Sequence, residues 1–260
     1  MMNRAGSRKT LGSSRRTLAT SIIIESLVAG YGAARILHGV SLRLEQGETV
    51  VLLGANGNGK STLINCLMGL IRPTEGTISL EEDGEKLNLI GLSTEAIVDR
   101  GIALVPEGRR LFPNLTVREN LLLGAYRPAA RATRAQNLEF CLEAFPALAD
   151  RQNQLAASMS GGEQQMVALA RAFMSAPRFL IVDEPSVGLA PIMVKQVINK
   201  IDELKSAHGL TVLMAEQNFN QAIKIADRGY VMVQGQVAFE GANASELRDN
   251  DFVKKVYLGT

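Results

Sequence analysis

Gly54-Ala55-Asn56-Gly57-Asn58-Gly59-Lys60-Ser61, GANGNGKS, is the stretch that decides the fold. It matches G-x-x-x-x-G-K-[ST], a pattern that average composition produces by chance in about one chain in a hundred of this length. Its surroundings sharpen it. Val50–Leu53 is an apolar run immediately before, and Thr62–Leu70 reads as a helix immediately after. Strand, glycine loop, helix is the order that phosphate binding needs. Glycines let backbone N–H groups turn inward around phosphate oxygens, and the helix N-terminus adds partial positive charge. Lys60 would reach the β- and γ-phosphates, and the Ser61 hydroxyl would ligate Mg²⁺. The bland alternative is a glycine turn with an accidental lysine.

Outward from the loop, short apolar runs recur at Ile22–Ile24, Thr49–Leu53, Ile102–Val105, Phe179–Val182, Thr211–Met214 and Tyr230–Val233. Most are bounded by Gly, Pro or charge, and they read as buried strands. Helical stretches between many of them predict an α/β fold, a mostly parallel sheet with crossover helices. Tyr230–Val233 differs, because Gln234, Gly235 and then Gln236–Glu240 suggest a hairpin around the glycine, an antiparallel portion. Residues 111–176 carry helical pattern without a strong strand signal, and we expect an inserted helical subdomain there. The expected organisation is a disordered basic tail at 1–20 and a single nucleotide-binding domain at 21–260.

Composition excludes several classes. The 260 residues are 46% hydrophobic with net charge +2 and mean hydropathy +0.07, which suits strands buried on both faces. Positive charge is not gathered in one long block, so nucleic-acid binding has no compositional support. Cys66 and Cys141 have no C-x-x-C spacing, which argues against a disulfide framework or a zinc site. No apolar run approaches the ~18 residues of a membrane span. The tail carries Arg4, Arg8, Lys9, Arg15 and Arg16 with no acid. It lacks the apolar stretch of a secretory signal, and its rival reading is electrostatic contact with an anionic membrane surface.

A second constellation completes the chemistry. Phe179–Val182 ends in Asp183 and Glu184. The first carboxylate at a strand end suits the Mg²⁺ shell, and the second suits orienting or deprotonating water. The alternative is an acidic helix cap. Just upstream lies Met159-Ser160-Gly161-Gly162-Glu163-Gln164-Gln165, followed by Met166, Leu169, Ala170 and Phe173 at helical spacing up to Pro177. Ser160 with two glycines at a helix start is a second anion-binding end. Two phosphate-type sites with one lysine loop imply that the second completes another subunit's nucleotide.

These residues resemble the ATPase subunits of ABC transporters. SGGEQQ is similar to the ABC signature, and GANGNGKS and FLIVDEP look like the two Walker motifs, over about Ser21 to Gly241. The resemblance implies a P-loop NTPase fold of ABC type, with ATP held by Gly54, Ala55, Asn56, Gly57, Asn58, Gly59, Lys60, Ser61 and Thr62 and adenine stacked on Tyr31. It implies a head-to-tail dimer in which Ser160, Gly161, Gly162 and Glu163 face the partner's ATP. It also implies Mg²⁺ at Ser61, Asp183 and Glu107, and catalysis by Glu184 and Gln217. The implied partners are a second ABC ATPase subunit, two membrane permease subunits and, indirectly, a periplasmic solute-binding protein. The implied location is the cytoplasmic face of the inner membrane, peripherally.

Three places depart from the general pattern. Glu107, in VPEGRRLF, stands where a Gln is usual. Gln217, in MAEQN, stands where the switch His is usual. Ser186–Pro191, SVGLAP, replaces the usual SxLD. His38, between two early strands, and His208, at a helix end, lie elsewhere. Together with ADRGYVM, these departures look like the second ATPase of the branched-chain amino acid importers, with related importers of urea, amides or other small polar solutes as the alternative. Asn199-Lys200-Ile201-Asp202 matches a guanine-reading NKxD, but Val194, Val197, Ile198, Ile201 and Leu204 put it inside an amphipathic helix. A translation factor would need two cassettes and a DNA-organising ATPase a long heptad arm; neither is present.

Overall fold

Val50, Val51, Leu52 and Leu53 are all fully buried, yet they enter two different cores. Side chains alternate across a strand, so this one strand must be covered on both faces. A computed structural model describes residues 20–258. The expected basic tail lies outside the described residues, except Thr20, which opens the first strand.

In chain order the strands are β1 (Thr20–Tyr31), β2 (Ala34–Glu45), β3 (Thr49–Leu53), β4 (Glu75–Glu82), β5 (Glu85–Asn88), β6 (Ile102–Val105), β7 (Phe179–Asp183), β8 (Thr211–Glu216), β9 (Arg228–Val233) and β10 (Gln236–Gly241). The helices are α1 (Lys60–Leu67), α2 (Thr94–Asp99), α3 (Val117–Leu123), α4 (Pro128–Ala132), α5 (Arg134–Ala144), α6 (Pro146–Ala149), α7 (Gly161–Phe173), α8 (Pro191–His208), α9 (Phe219–Ala222), α10 (Ala244–Asp249) and α11 (Asp251–Leu258). One sheet has the order β10-β9-β3-β8-β7-β6 and the other β2-β1-β4-β5. The six-stranded sheet is parallel except for the β9–β10 hairpin. The four-stranded sheet is antiparallel throughout.

The layers follow from the pattern of β3. Val50 and Leu52 pack with Leu63 and Leu67 of α1 and with Ile22, Leu42 and Leu44 of the antiparallel sheet. Val51 and Leu53 pack with Val167 and Leu169 of α7 and Val197 and Ile201 of α8. Helices α3 to α7 occupy the interval between β6 and β7. Val233 pairs with Gln236 across Gln234 (φ 48°) and Gly235 (φ 76°), so the hairpin closes on two left-handed residues, as its twist prefers.

Two local expectations are corrected. His38 is not between strands but within β2. That strand alternates exposed Ser41 and Arg43 with buried Val40, Leu42 and Leu44, so it holds no continuous apolar run to find. Strand β4 escapes because it is exposed over Glu75–Thr77 and its buried stretch, Ile78–Leu80, is short and broken by Ser79, and β5 because it is largely exposed. The helix expected over Thr62–Leu70 starts two residues earlier and stops at Leu67, because Gly69 takes φ 71° and Leu70 turns out to solvent. The NKxD stretch lies inside α8, as its periodicity predicts.

Candidate functional site

Parallel pairing of β3, β8, β7 and β6 brings their C-terminal ends to one edge of the sheet. Loops leaving that edge meet in a crevice, the usual ligand position of open α/β sheets. The phosphate loop leaves β3, Glu107 follows β6, Asp183 and Glu184 close β7, and Gln217 follows β8. A cavity of about 310 Å³ opens there, lined by Tyr31, Asn56, Gly57, Gly59, Lys60, Ser61, Thr62, Glu107 and Glu184, and also by Ile36.

Gly57 (φ 83°) and Gly59 (φ 92°) take the left-handed backbone that the loop requires. A Cβ on Gly59 would also lie 2.8 Å from Leu37 Cδ2. Gly59 caps α1 without a side-chain hydrogen bond, leaving the first-turn N–H groups for a ligand. Lys60 is only 3% exposed and folds back over the loop. Its Nζ donates to Gly54 O (2.7 Å) and Ala55 O (3.2 Å), and pairs with Glu184 Oε1 at 2.8 Å. Ser61 Oγ donates to Asp183 Oδ1 at 3.2 Å. The lysine loop and the two-carboxylate strand end, 120-odd positions apart in the chain, thus meet through two direct side-chain contacts.

The charges are uneven. Burial pushes the Asp183 carboxyl up to about 6; the Ser61 hydrogen bond opposes this, and the neighbouring Glu184 and Glu107 charges add to it. An acid so raised lacks a full share of positive charge, and a hard divalent cation between it and Ser61 would supply it. Hydroxyl and carboxylate oxygens fit Mg²⁺. Among the described residues no group of three or more His, Cys, Asp or Glu side chains forms a ready-made metal cage. A cation here would therefore take further ligands from phosphate or water. Glu184 itself has φ 45°, uncommon for a non-glycine, and its N–H donates to Ala215 O at 2.9 Å.

Other expected residues sit apart from the cavity. Asn58 turns away: its Oδ1 accepts from Gln234 N (3.0 Å), its O from Gly235 N (3.2 Å), and its own N–H goes to Ala55 O. It ties the loop to the β9–β10 turn. Gly54 and Ala55 present carbonyls to Lys60 and do not line the cavity. Gln217 is exposed on the loop after β8 and does not line it either. Ser160 caps α7, with its Oγ accepting from Glu163 N and Glu163 Oε2 accepting from Ser160 N at 2.8 Å, a capping box. Ser160, Gly161, Gly162 and Glu163 are absent from the lining of the chain's own cavity.

The profile described as ABC transporter matches residues 37–187, more than half of the chain. The chain belongs to the ABC transporter family. This ABC chain is 46% identical over 229 residues to the high-affinity branched-chain amino acid transport ATP-binding protein BraG of Pseudomonas aeruginosa, covering 88% of itself and 95% of that protein. It is 34% identical to the probable branched-chain amino acid transport ATP-binding protein LivF of Archaeoglobus fulgidus, covering 90% and 96%. Among solved structures it superposes on the ADP conformation of an ATP-binding cassette of an ABC transporter with TM-score 0.79 at 26% identity, covering 93% of itself and 99% of that chain. A nucleotide-free ABC cassette gives TM-score 0.77 at 26% identity.

Sequence reasoning missed three residues of this ABC site. Ile36 lines the cavity beside Tyr31 because β1 and β2 form a hairpin; the apolar residue five positions after the tyrosine was its only signal. Arg171 of α7 donates to Arg110 O (2.7 Å) and Arg109 O (2.9 Å), holding the turn after Glu107 in which both arginines have positive φ. Glu216 is fully buried next to Gln217. Nothing local in the sequence marks either as more than a surface charge.

Proposed function

We propose that this chain is the ATP-hydrolysing motor subunit of an ABC importer, driving uptake of branched-chain amino acids through membrane permease partners. The observation that carries the ATPase reading is the contact pair Lys60–Glu184 and Ser61–Asp183 at the mouth of the glycine loop. The amino-acid substrate rests on the names of relatives such as BraG.

The chain's own residues support a sequence of events. Loop N–H groups and the α1 N-terminus receive the phosphates. Lys60 exchanges Glu184 for phosphate oxygens, a charge-assisted contact that replaces the ion pair. That exchange frees the Glu184 carboxylate to accept a proton from, or orient, the attacking water. Mg²⁺ held by Ser61 and Asp183, with Glu107 adjacent, would neutralise phosphate charge. Tyr31, 54% exposed at the end of β1, offers its ring to adenine. The α7 capping box, outside the chain's own cavity, is the surface we assign to a partner's ATP in a head-to-tail dimer with a second ABC ATPase subunit. Two permease subunits and a solute-binding protein complete the system, with this chain peripheral on the cytoplasmic face. Among the described residues no helix is long and apolar enough to cross a membrane.

Lys60→Ala removes the flexible positive charge from a desolvated site, worth ~2–4 kcal/mol per charge-assisted contact. ATPase activity should fall by at least a hundredfold, and wild-type turnover in this variant would overturn the site. The substrate is tested by reconstituting the chain with its membrane partners and comparing leucine, isoleucine and valine with urea and amides as stimulants. Stimulation by urea alone would move the assignment to the related importers.

A further inference from the structure

Strand β8 ends in a carboxylate with no solvent exposure. Glu216 is 0% exposed at the close of a strand whose other residues are also buried. Among the described residues no lysine or arginine pairs with it. Four hydrogen bonds hold it instead. Oε1 accepts from Ser186 N (3.0 Å), and Oε2 accepts from Ser186 Oγ (2.9 Å), Gln217 N (3.1 Å) and Asn218 N (3.1 Å). Three of the four partners are backbone N–H groups, which can only donate, and they favour the ionised, acceptor-only carboxylate against the burial that pushes its pKa up. Placing an unpaired buried carboxylate here is costly, and strand β8 would close equally well on an apolar residue.

The partners belong to different loops. Ser186 lies two residues after Glu184, which is held at φ 45°. Gln217 and Asn218 begin the loop after β8, and Asn218 caps α9. The backbone extends the connection, since Gly54 N, at the start of the phosphate loop, donates to Glu216 O at 3.3 Å. A left-handed non-glycine persists only where its surroundings over-determine it, and the Ser186 anchor is one such restraint on the turn containing Glu184.

We infer that Glu216 is a positioning residue for hydrolysis: its carboxylate fastens the loop after Glu184 to the start of the loop after β8, so that Glu184 is held in a fixed place at the nucleotide cavity. The inference rests on the ATPase reading above. It does not require Glu216 to touch nucleotide, and Glu216 does not line the cavity.

Glu216→Gln keeps the size but turns one acceptor oxygen into a donor facing donors. Full-length protein is compared with wild type for ATP affinity by fluorescent-nucleotide titration, for steady-state hydrolysis and for amide hydrogen exchange. The expected result is a kcat at least tenfold lower with ATP affinity within threefold. Exchange at the Ser186, Gln217 and Asn218 amides should rise together, by at least tenfold. Ser186→Ala, which deletes one donor and leaves the carboxylate, should lower kcat about threefold and carries the test if Glu216→Gln does not fold. The double variant should be no slower than Glu216→Gln alone, because the two changes act on one connection. A kcat within twofold of wild type in Glu216→Gln overturns the inference. So does a parallel fall of kcat, ATP affinity and melting temperature, which marks a purely structural role, or unchanged exchange at the three amides. Absence of ATP turnover in wild type would instead defeat the ATPase reading, and the exchange data would still decide the connection.

Discussion

Glu107 matters through its charge on a neighbour, Cys141 through its own burial. Glu107 is exposed on the loop after β6, yet its charge reaches the site, helping to raise Asp183. We propose it as a further oxygen ligand near the cation, stronger than the amide usual at this position because Mg²⁺ prefers charged oxygen. An exposed charge of this kind contributes up to ~1 kcal/mol. Glu107→Gln should therefore raise the Mg²⁺ concentration for half-maximal activity about two- to fivefold; an unchanged Mg²⁺ titration would make Glu107 a spectator. Burial pushes the Cys66 thiol up to about 11 and the Cys141 thiol up to about 12. Cys141 also donates to Ala170 O at 3.3 Å. Unfolded thiols ionise near ~8.5. Folded values are raised, so the contribution to stability is complete below ~8.5 and is lost as pH rises toward 11 and 12. Iodoacetamide at pH 8 should leave both cysteines unmodified in the native protein and alkylate both in urea. Rapid native labelling of Cys141 would contradict its placement. Core packing of Cys66 was legible from Leu63 and Leu67 beside it. The double donation to Glu216 was not, because Ser186 lies thirty positions away.

At the scale of elements, two glycines separate rigid from yielding contacts. A Cβ on Gly124, at the end of α3, would lie 2.0 Å from Arg171 O of α7. The obstacle is backbone, so the helices would have to move apart. Gly124→Ala should cost about 1–3 kcal/mol or more and lower the melting temperature by several degrees. A Cβ on Gly162 would meet Met193 Cε at 2.0 Å, the far end of a flexible side chain that can swing aside. Gly162→Ala should therefore destabilise far less, and thermal melts that reverse this order would refute the packing argument. Legibility at this scale followed burial. Strands β3, β6, β7 and β8 were readable because both faces are covered and their central positions are apolar. Strands β2 and β5 were not, because exposed and charged positions interrupt the run, nor was β4, whose buried stretch is only Ile78–Leu80 with Ser79 in its middle. The start of α7 at Gly161 was legible from Ser160 and the glycines, whereas the early stop of α1 needed the conformation of Gly69.

For the molecule as a whole, the α7 capping box outside the chain's own cavity supports a two-subunit site. Glu184→Gln preserves shape but removes the carboxylate to which we assign the attacking water, so ATP should bind and remain. Light scattering in saturating ATP and Mg²⁺ should show a dimer, with wild-type partner ATPase added where self-association is weak. A monomer under both conditions would remove the main support for trans completion. The linear chain already contained the glycine loop with its lysine, the Asp183–Glu184 strand end, the signature and the α/β alternation. Each is short-range information: a turn needs its glycines, a buried strand its apolar run, a helix its cap and period. Tertiary structure alone decided that Lys60 rests on Glu184, that Asn58 serves a hairpin, that Gln217 stands outside the cavity and that Glu216 joins two loops. These depend on which strands become neighbours in the sheet and on where desolvation leaves a charge without a partner. Such non-local facts have no periodicity or spacing to betray them.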